Sequence, residues 1–107
     1  MLDRFEAQNY LDDEGRPAGG TVLGTGLEIE WQSGPLAVDG VRQEPNGAFV
    51  ETVIAAALQR IEHYNATQFR CRENSLAITH LEEALHWLHA RTNRRTAAGT
   101  EGTHAGN

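Results

Sequence analysis

The chain has 107 residues, 39% of them hydrophobic and 22% charged, with a formal net charge of −6. That length suits one domain, which buries only about 65% of its unfolded surface and is stable by a narrow margin. The sequence contains no run of 18 apolar residues, no basic-then-apolar leader and a single cysteine, and its acidic balance disfavours a general nucleic-acid binder, so we expect a cytosolic protein without a membrane span, disulfide framework or cysteine-based zinc site.

Residues 1–20 are polar and end in Pro17-Ala18-Gly19-Gly20; with little to bury, they read as a mobile arm or an irregular strap. From Thr21 to Trp31 the pattern has a period of two: Leu27, Ile29 and Trp31 fall on one face and Glu28 and Glu30 on the other. The turn signal Gln32-Ser33-Gly34-Pro35 leads to a short second strand around 36–42, giving an antiparallel β-ribbon over 21–43 with one apolar face.

Glu44-Pro45-Asn46-Gly47 stops the ribbon, with Asn46 expected to cap a first helix. Val50, Val53, Ile54, Ala57, Leu58 and Ile61 recur at steps of three and four as far as Tyr64, and Asn65-Ala66-Thr67 breaks the pattern. A second helix begins near 72–75 and runs to about Ala97, with Gly99 as its stop. Its stripe is Ile78, Leu81, Leu85 and Leu88, widened by Ala77 and Ala84. The fold class is therefore α+β: an N-terminal β-hairpin, an antiparallel two-helix hairpin over 46–98 and a glycine-rich tail over 99–107. An isolated ribbon and a lone helix pair bury too little to stand alone, so we expect an obligate oligomer.

The charge is unevenly spread. Residues 1–51 carry ten acids against Arg4, Arg16 and Arg42, whereas 52–107 carry five acids against six arginines. All nine basic residues are arginine; a GC-rich coding sequence explains this, and so does a need for bidentate phosphate grip and stacking on flat rings. On the second helix Leu76, His80, Trp87, Arg91 and Arg94 lie across from Ile78. That face reads either as a subunit contact or as a platform for a purine base with a phosphate clamp. Arg91 and Arg95, four apart, are either a solvated cationic helix end or a pair compensated by a bound anion.

His86, His89 and Glu82 have ligand-like spacing, but one helix face rarely closes a zinc site, and we expect no metal or cofactor. Cys71 reads as a buried small hydrophobe. The glycines at 19, 20, 24 and 26 match no phosphate-loop pattern and read as ribbon bends. No catalytic constellation stands out, and we expect no enzyme.

Three stretches carry a resemblance: Cys71-Arg72-Glu73-Asn74-Ser75-Leu76-Ala77, Leu81-Glu82-Glu83-Ala84-Leu85-His86-Trp87-Leu88 and Glu101-Gly102-Thr103-His104. Together they resemble the helical-hairpin family of bacteriophage anti-defence proteins, the signal sponges that counter Thoeris and CBASS immunity. The ribbon Gly26-Leu-Glu-Ile-Glu-Trp-Gln and the helix opening Asn46-Gly-Ala-Phe-Val-Glu look like the anti-Thoeris branch. The resemblance implies a non-enzymatic binder of cyclic ADP-ribose-type signals, with cyclic di- and trinucleotides as a second ligand class, acting in the host bacterial cytoplasm. It also implies a homo-oligomer, a dimer or a trimer of dimers, with pockets at subunit boundaries. By position it implies ligand contacts from Tyr64, Asn74, Arg91 and Arg95, and places Gly102 and Thr103 near a second nucleotide pocket. Two other readings stay open: a hydrolase of the same signals, and an adaptor that docks a partner through the Trp87 face.

Overall fold

The computed structural model describes residues 4–107, and the part of the expected N-terminal arm that falls on residues 1–3 lies outside them. The chain runs β1 (Phe5–Leu11), β2 (Pro17–Gly24), β3 (Leu27–Trp31), β4 (Ala37–Val38), β5 (Val41–Arg42), α1 (Val50–Asn65) and α2 (Arg72–Ala98). It divides into two compact units: the strands up to Phe49 together with Thr100–Asn107, and the helices over Val50–Gly99. The α+β class, strands first and a helix pair after, is as the sequence indicates.

The strand unit departs from expectation in two places. Residues 5–20 are no loose arm: Phe5–Leu11 pairs antiparallel with β2, so the sheet has three strands in the order β1-β2-β3. Backbone pairing, rather than burial, makes this strand, since all seven of its residues are exposed; a hydrophobicity pattern cannot reveal it. Its turn into β2 is set by Asp12, whose carboxylate accepts from the backbone N–H groups of Glu14 and Arg16 and from Arg16 Nε, each at 2.9 Å. Such an Asx-type turn needs no apolar residue.

The second departure concerns the ribbon's partner. The Thr21–Trp31 run folds back on itself at Thr25-Gly26, so β3 pairs with β2 in the register Gly24↔Leu27 to Gly20↔Trp31. Residues 37–42 instead form their own small hairpin around Asp39-Gly40, both with positive φ (50° and 77°). Two consecutive left-handed residues give the tight turn whose twist suits a two-residue hairpin, and Asp-Gly is a favoured pair for it.

Asn46 does not cap α1, which starts at Val50. Its side chain instead accepts from the Ser33 N–H at 2.8 Å and donates to the Ser33 carbonyl at 2.9 Å. Ala48 extends this link, bonding Glu30 O and Gln32 N at 2.7 and 2.9 Å in a parallel bridge to Trp31. Gly47 sits between, and a Cβ there would lie 2.6 Å from the Trp31 carbonyl group. An asparagine that can copy a strand partner's donor and acceptor is thus used as a sheet residue, not a cap.

In the helical unit the predicted stripes face each other. On α2, Ala77, Ile78, Leu81, Ala84, Leu85 and Leu88 are all half-buried, against Val53, Ile54, Leu58 and Ile61 of α1. Val50 and Ala57 of the expected α1 stripe are exposed. The α2 stripe continues past Leu88 through Thr92 to Arg95 in steps of four and three. Gly99 closes α2 in the left-handed conformation, its N–H donating to the carbonyls of Arg95 and Thr96. Among the described residues no apolar side chain is fully buried, while Phe5, Leu11, Phe69 and Trp87 are each at least 61% exposed.

Candidate functional site

Tyr64 and Asn74 flank the loop at the tip of the helical hairpin, one closing α1 and the other opening α2. Tyr64 occupies the last turn of α1, where the Arg60 guanidinium lies 4.8 Å from its ring centroid and Arg60 Nε donates to its hydroxyl at 3.1 Å. One helical turn separates the two residues, the spacing at which side chains stack on a helix surface. The Tyr64 ring is 42% exposed. Asn74, in the first turn of α2, is half-buried and donates from Nδ2 to the Phe69 carbonyl at 3.3 Å.

The connection over 66–71 is held from both sides. Asn65 accepts from the Cys71 N–H and donates to Ser75 Oγ, both at 3.1 Å, while the Thr67 hydroxyl donates to the Tyr64 carbonyl. Cys71 is exposed, contrary to the expected burial, because it is the N-cap of α2: its sulfur accepts from the Asn74 N–H at 3.4 Å.

Arg91 and Arg95 belong to the other end of α2 and differ sharply. Arg91 is exposed, whereas Arg95, on the packed stripe, is 7% exposed and engaged with a partner. Seventeen residues of continuous helix separate Asn74 from Arg91, about 25 Å along the axis. The structure therefore places Tyr64 and Asn74 at the same end of the helix pair, and it keeps Arg91 and Arg95 far from Asn74 within one chain.

Gly102 and Thr103 lie in the strand unit. Gly102 has φ of 77°, and its carbonyl accepts from the Ala37 N–H at 2.9 Å; a Cβ at this position would meet Leu36 Cβ at 3.3 Å. Thr103 Oγ1 donates to the Thr100 carbonyl at 2.6 Å and accepts from the Ala105 N–H. Arg42 grips Glu101 beside them, a pairing that sequence reasoning missed; the two are 59 residues apart and no local signal links them.

The Trp87 face is open. Trp87 is 65% exposed, with the edge of His86 against its ring (5.8 Å, 73°), and Leu76 is 41% exposed. His80 approaches Glu83 at 3.9 Å on the same face. Two open clefts contain none of the expected site residues: one of about 580 Å³ lined by Glu51, Leu85, His86, His89 and Thr92, and one of about 750 Å³ lined by Arg4, Phe5, Glu6, Leu23, Gly24 and Thr25. Among the described residues no group of three or more His, Cys, Asp or Glu side chains could hold a metal ion, and no helix is long and apolar enough to cross a membrane.

Chemically, the tip offers an aromatic face, an amide and nearby guanidinium groups, while the distal end of α2 offers an exposed cation. Residues 26–93 match the family described as Acb2/Tad1, hairpin domain. The chain is also 43% identical over 76 residues to "Thoeris anti-defense 1" of Bacillus phage SBSphiJ7. That match takes in 71% of this chain and 51% of the relative, so the chain spans about half the relative's length.

Proposed function

The chain belongs to the Acb2/Tad1 hairpin-domain family, and from that premise we propose that it is a phage anti-defence protein that sequesters adenosine-containing cyclic nucleotide signals and leaves them intact. It acts in the host bacterial cytoplasm as a homo-oligomer and blocks Thoeris immunity by holding cyclic ADP-ribose-type signals. Cyclic di- and trinucleotides, the signals of CBASS, are a second ligand class, taken near Gly102 and Thr103.

The observation that carries this reading is the split of the binding groups along α2. Tyr64 offers a partly exposed ring and Asn74 an amide oxygen at the tip, while Arg91 offers a solvated guanidinium about 25 Å away. No cyclic dinucleotide bridges that length, so the two half-sites make one pocket only when a second copy brings its Arg91 to this copy's tip. The ring then stacks on the base, the amide reads a base or ribose edge, and arginine neutralises the pyrophosphate. The exposed apolar side chains and the absence of a fully buried apolar one among the described residues support such an assembly.

Capture by sequestration requires tight binding; a nanomolar Kd corresponds to about −12 kcal/mol. Titration calorimetry with cyclic ADP-ribose, its glycocyclic isomers and cyclic di- and trinucleotides should give heat for at least one compound. Ligand recovered after proteolysis of the complex should be unchanged. Arg91→Glu should abolish the heat from the cyclic ADP-ribose compounds while light scattering still reports the same oligomer. Silence across the panel defeats the proposal, and a cleaved product replaces it with a hydrolase.

A further inference from the structure

We infer that Phe69 is a base-stacking residue of the ligand site, fixed in place before the ligand arrives; this rests on the reading of the chain as a binder of adenosine-containing cyclic nucleotides. Phe69 is 66% exposed, on a six-residue connection where polar side chains are the usual choice. An exposed ring of this size forgoes the hydrophobic free energy that burial would give.

The backbone on each side of that ring is tied down. The Phe69 N–H donates to Thr67 Oγ1 at 3.2 Å, its carbonyl accepts from Asn74 Nδ2 at 3.3 Å, and the following N–H, of Arg70, donates to the Thr67 carbonyl at 3.2 Å. Asn65 then anchors Cys71 two residues on. An exposed loop with this many internal bonds presents its side chain with little ordering entropy left to lose on binding. The Asn74 amide nitrogen ties this loop to the first turn of α2 by holding the Phe69 carbonyl.

The surroundings favour a nucleobase over a protein partner. Phe69 is flanked in sequence by Arg70 and, two further on, Arg72, and the Tyr64 ring with its own Arg60 belongs to the same tip. Aromatic faces interleaved with guanidinium groups are the composition that stacks bases and neutralises phosphates without reading sequence. Phe69 therefore supplies a second flat surface at the tip, in addition to the Tyr64 ring.

The test uses the whole chain with cyclic ADP-ribose and one of its glycocyclic isomers as probes. Replacing Phe69 by Ala should weaken the bound probe roughly 10-fold or more, a stacking-sized loss. Phe69→Trp should retain affinity, and its added indole emission should be quenched as the probe saturates, relative to the unaltered chain, whose Trp31 and Trp87 give the background. Light scattering should report an unchanged oligomer for both variants. If the unaltered chain binds neither probe nor any other adenosine-containing cyclic nucleotide, the functional reading falls and this inference with it. If the unaltered chain binds while Phe69→Ala binds equally well, or while Phe69→Trp emission stays constant through saturation, only the inference is overturned. A shift in oligomeric state with affinity preserved likewise overturns it, and makes Phe69 a subunit contact.

Discussion

Arg42 and Glu101 form a two-pronged ion pair, with guanidinium-to-carboxylate distances of 2.5 and 3.0 Å. It joins β5 to the segment that carries Gly102 and Thr103, next to the bond from the Ala37 N–H to the Gly102 carbonyl. Hydrogen bonding to Glu101, and then its charge, pushes the Arg42 guanidinium above its ordinary pKa, so its positive charge persists at any pH the fold meets. Arg42→Ala should release residues 101–103, and hydrogen exchange at the Ala37 amide should quicken. High salt should produce a smaller change in the same direction, because the pair is partly solvated. Unchanged exchange in the variant would show that the backbone bond alone holds the tail.

Asp12 makes the β1–β2 turn sensitive to acid. The Arg16 backbone N–H is the largest influence holding its carboxyl below the ordinary 3.8, opposed in part by desolvation and aided by the Arg16 side chain and the Glu14 N–H. A folded-state pKa below the unfolded value means that the stabilisation is complete above the unfolded value and is lost as pH falls through the lowered one. Asp12→Asn should therefore be less stable than the parent at neutral pH, and the gap should close on acidification below about pH 4. Denaturant titrations across that range measure it; a gap that widens in acid would contradict the assignment.

Gly47 is a close-approach glycine. A methyl group there would meet the Trp31 carbonyl group at 2.6 Å, so Gly47→Ala must push residues 46–48 away from the end of β3. We expect a loss of about 1–3 kcal/mol in chemical denaturation, with a red shift of Trp31 emission as its half-buried ring becomes wetter. A variant as stable as the parent would mean that the bridge between Trp31 and Ala48 is dispensable.

The two late arginines should separate experimentally. Arg95 is 7% exposed and engaged, so Arg95→Ala should destabilise the chain by roughly 1–3 kcal/mol through an unpaired partner and lost stem packing. Arg91, exposed on the same helix, should be replaceable by Ala at a cost within about 0.5 kcal/mol. Thermal melts of the two variants without ligand decide this. Equal melts would show that the burial of Arg95 contributes no stability.

Periodicity made the helical half legible. The end of α1 near Tyr64, the start of α2 at Arg72 and the Gly99 stop all follow from apolar spacing and terminal residues, which act within a turn or two. The strand half was less legible for two reasons. β1 buries no side chain, so its existence depends on backbone pairing with β2 across a turn, from Leu11↔Pro17 out to Phe5↔Gly24. The Val38-Asp39-Gly40-Val41 turn did carry a local signal, an Asp-Gly pair between apolar residues, that points to the separate β4–β5 hairpin. At the site, Tyr64 and Asn74 flank one short loop, a placement that follows from the two helix ends. The burial of Arg95 was also present in the spacing, since it lies seven residues beyond Leu88 on the packed stripe. Cys71 as a cap was not readable, because sulfur is an uncommon substitute for the usual oxygen at that place.

The separation of the hairpin tip from Arg91 along the length of α2 has a genetic corollary. A two-fold pair of chains in which each tip borrows its neighbour's cation has two composite crevices, and each draws one contributor from either molecule. Mixing a Tyr64→Ala chain with an Arg91→Glu chain, both inert alone, then yields heterodimers with one crevice built wholly from unmutated halves and one that is doubly defective. Each mixed dimer thus regains half the capacity of the parent, and a randomly reassorted equal mixture, about half of it mixed dimers, regains about a quarter.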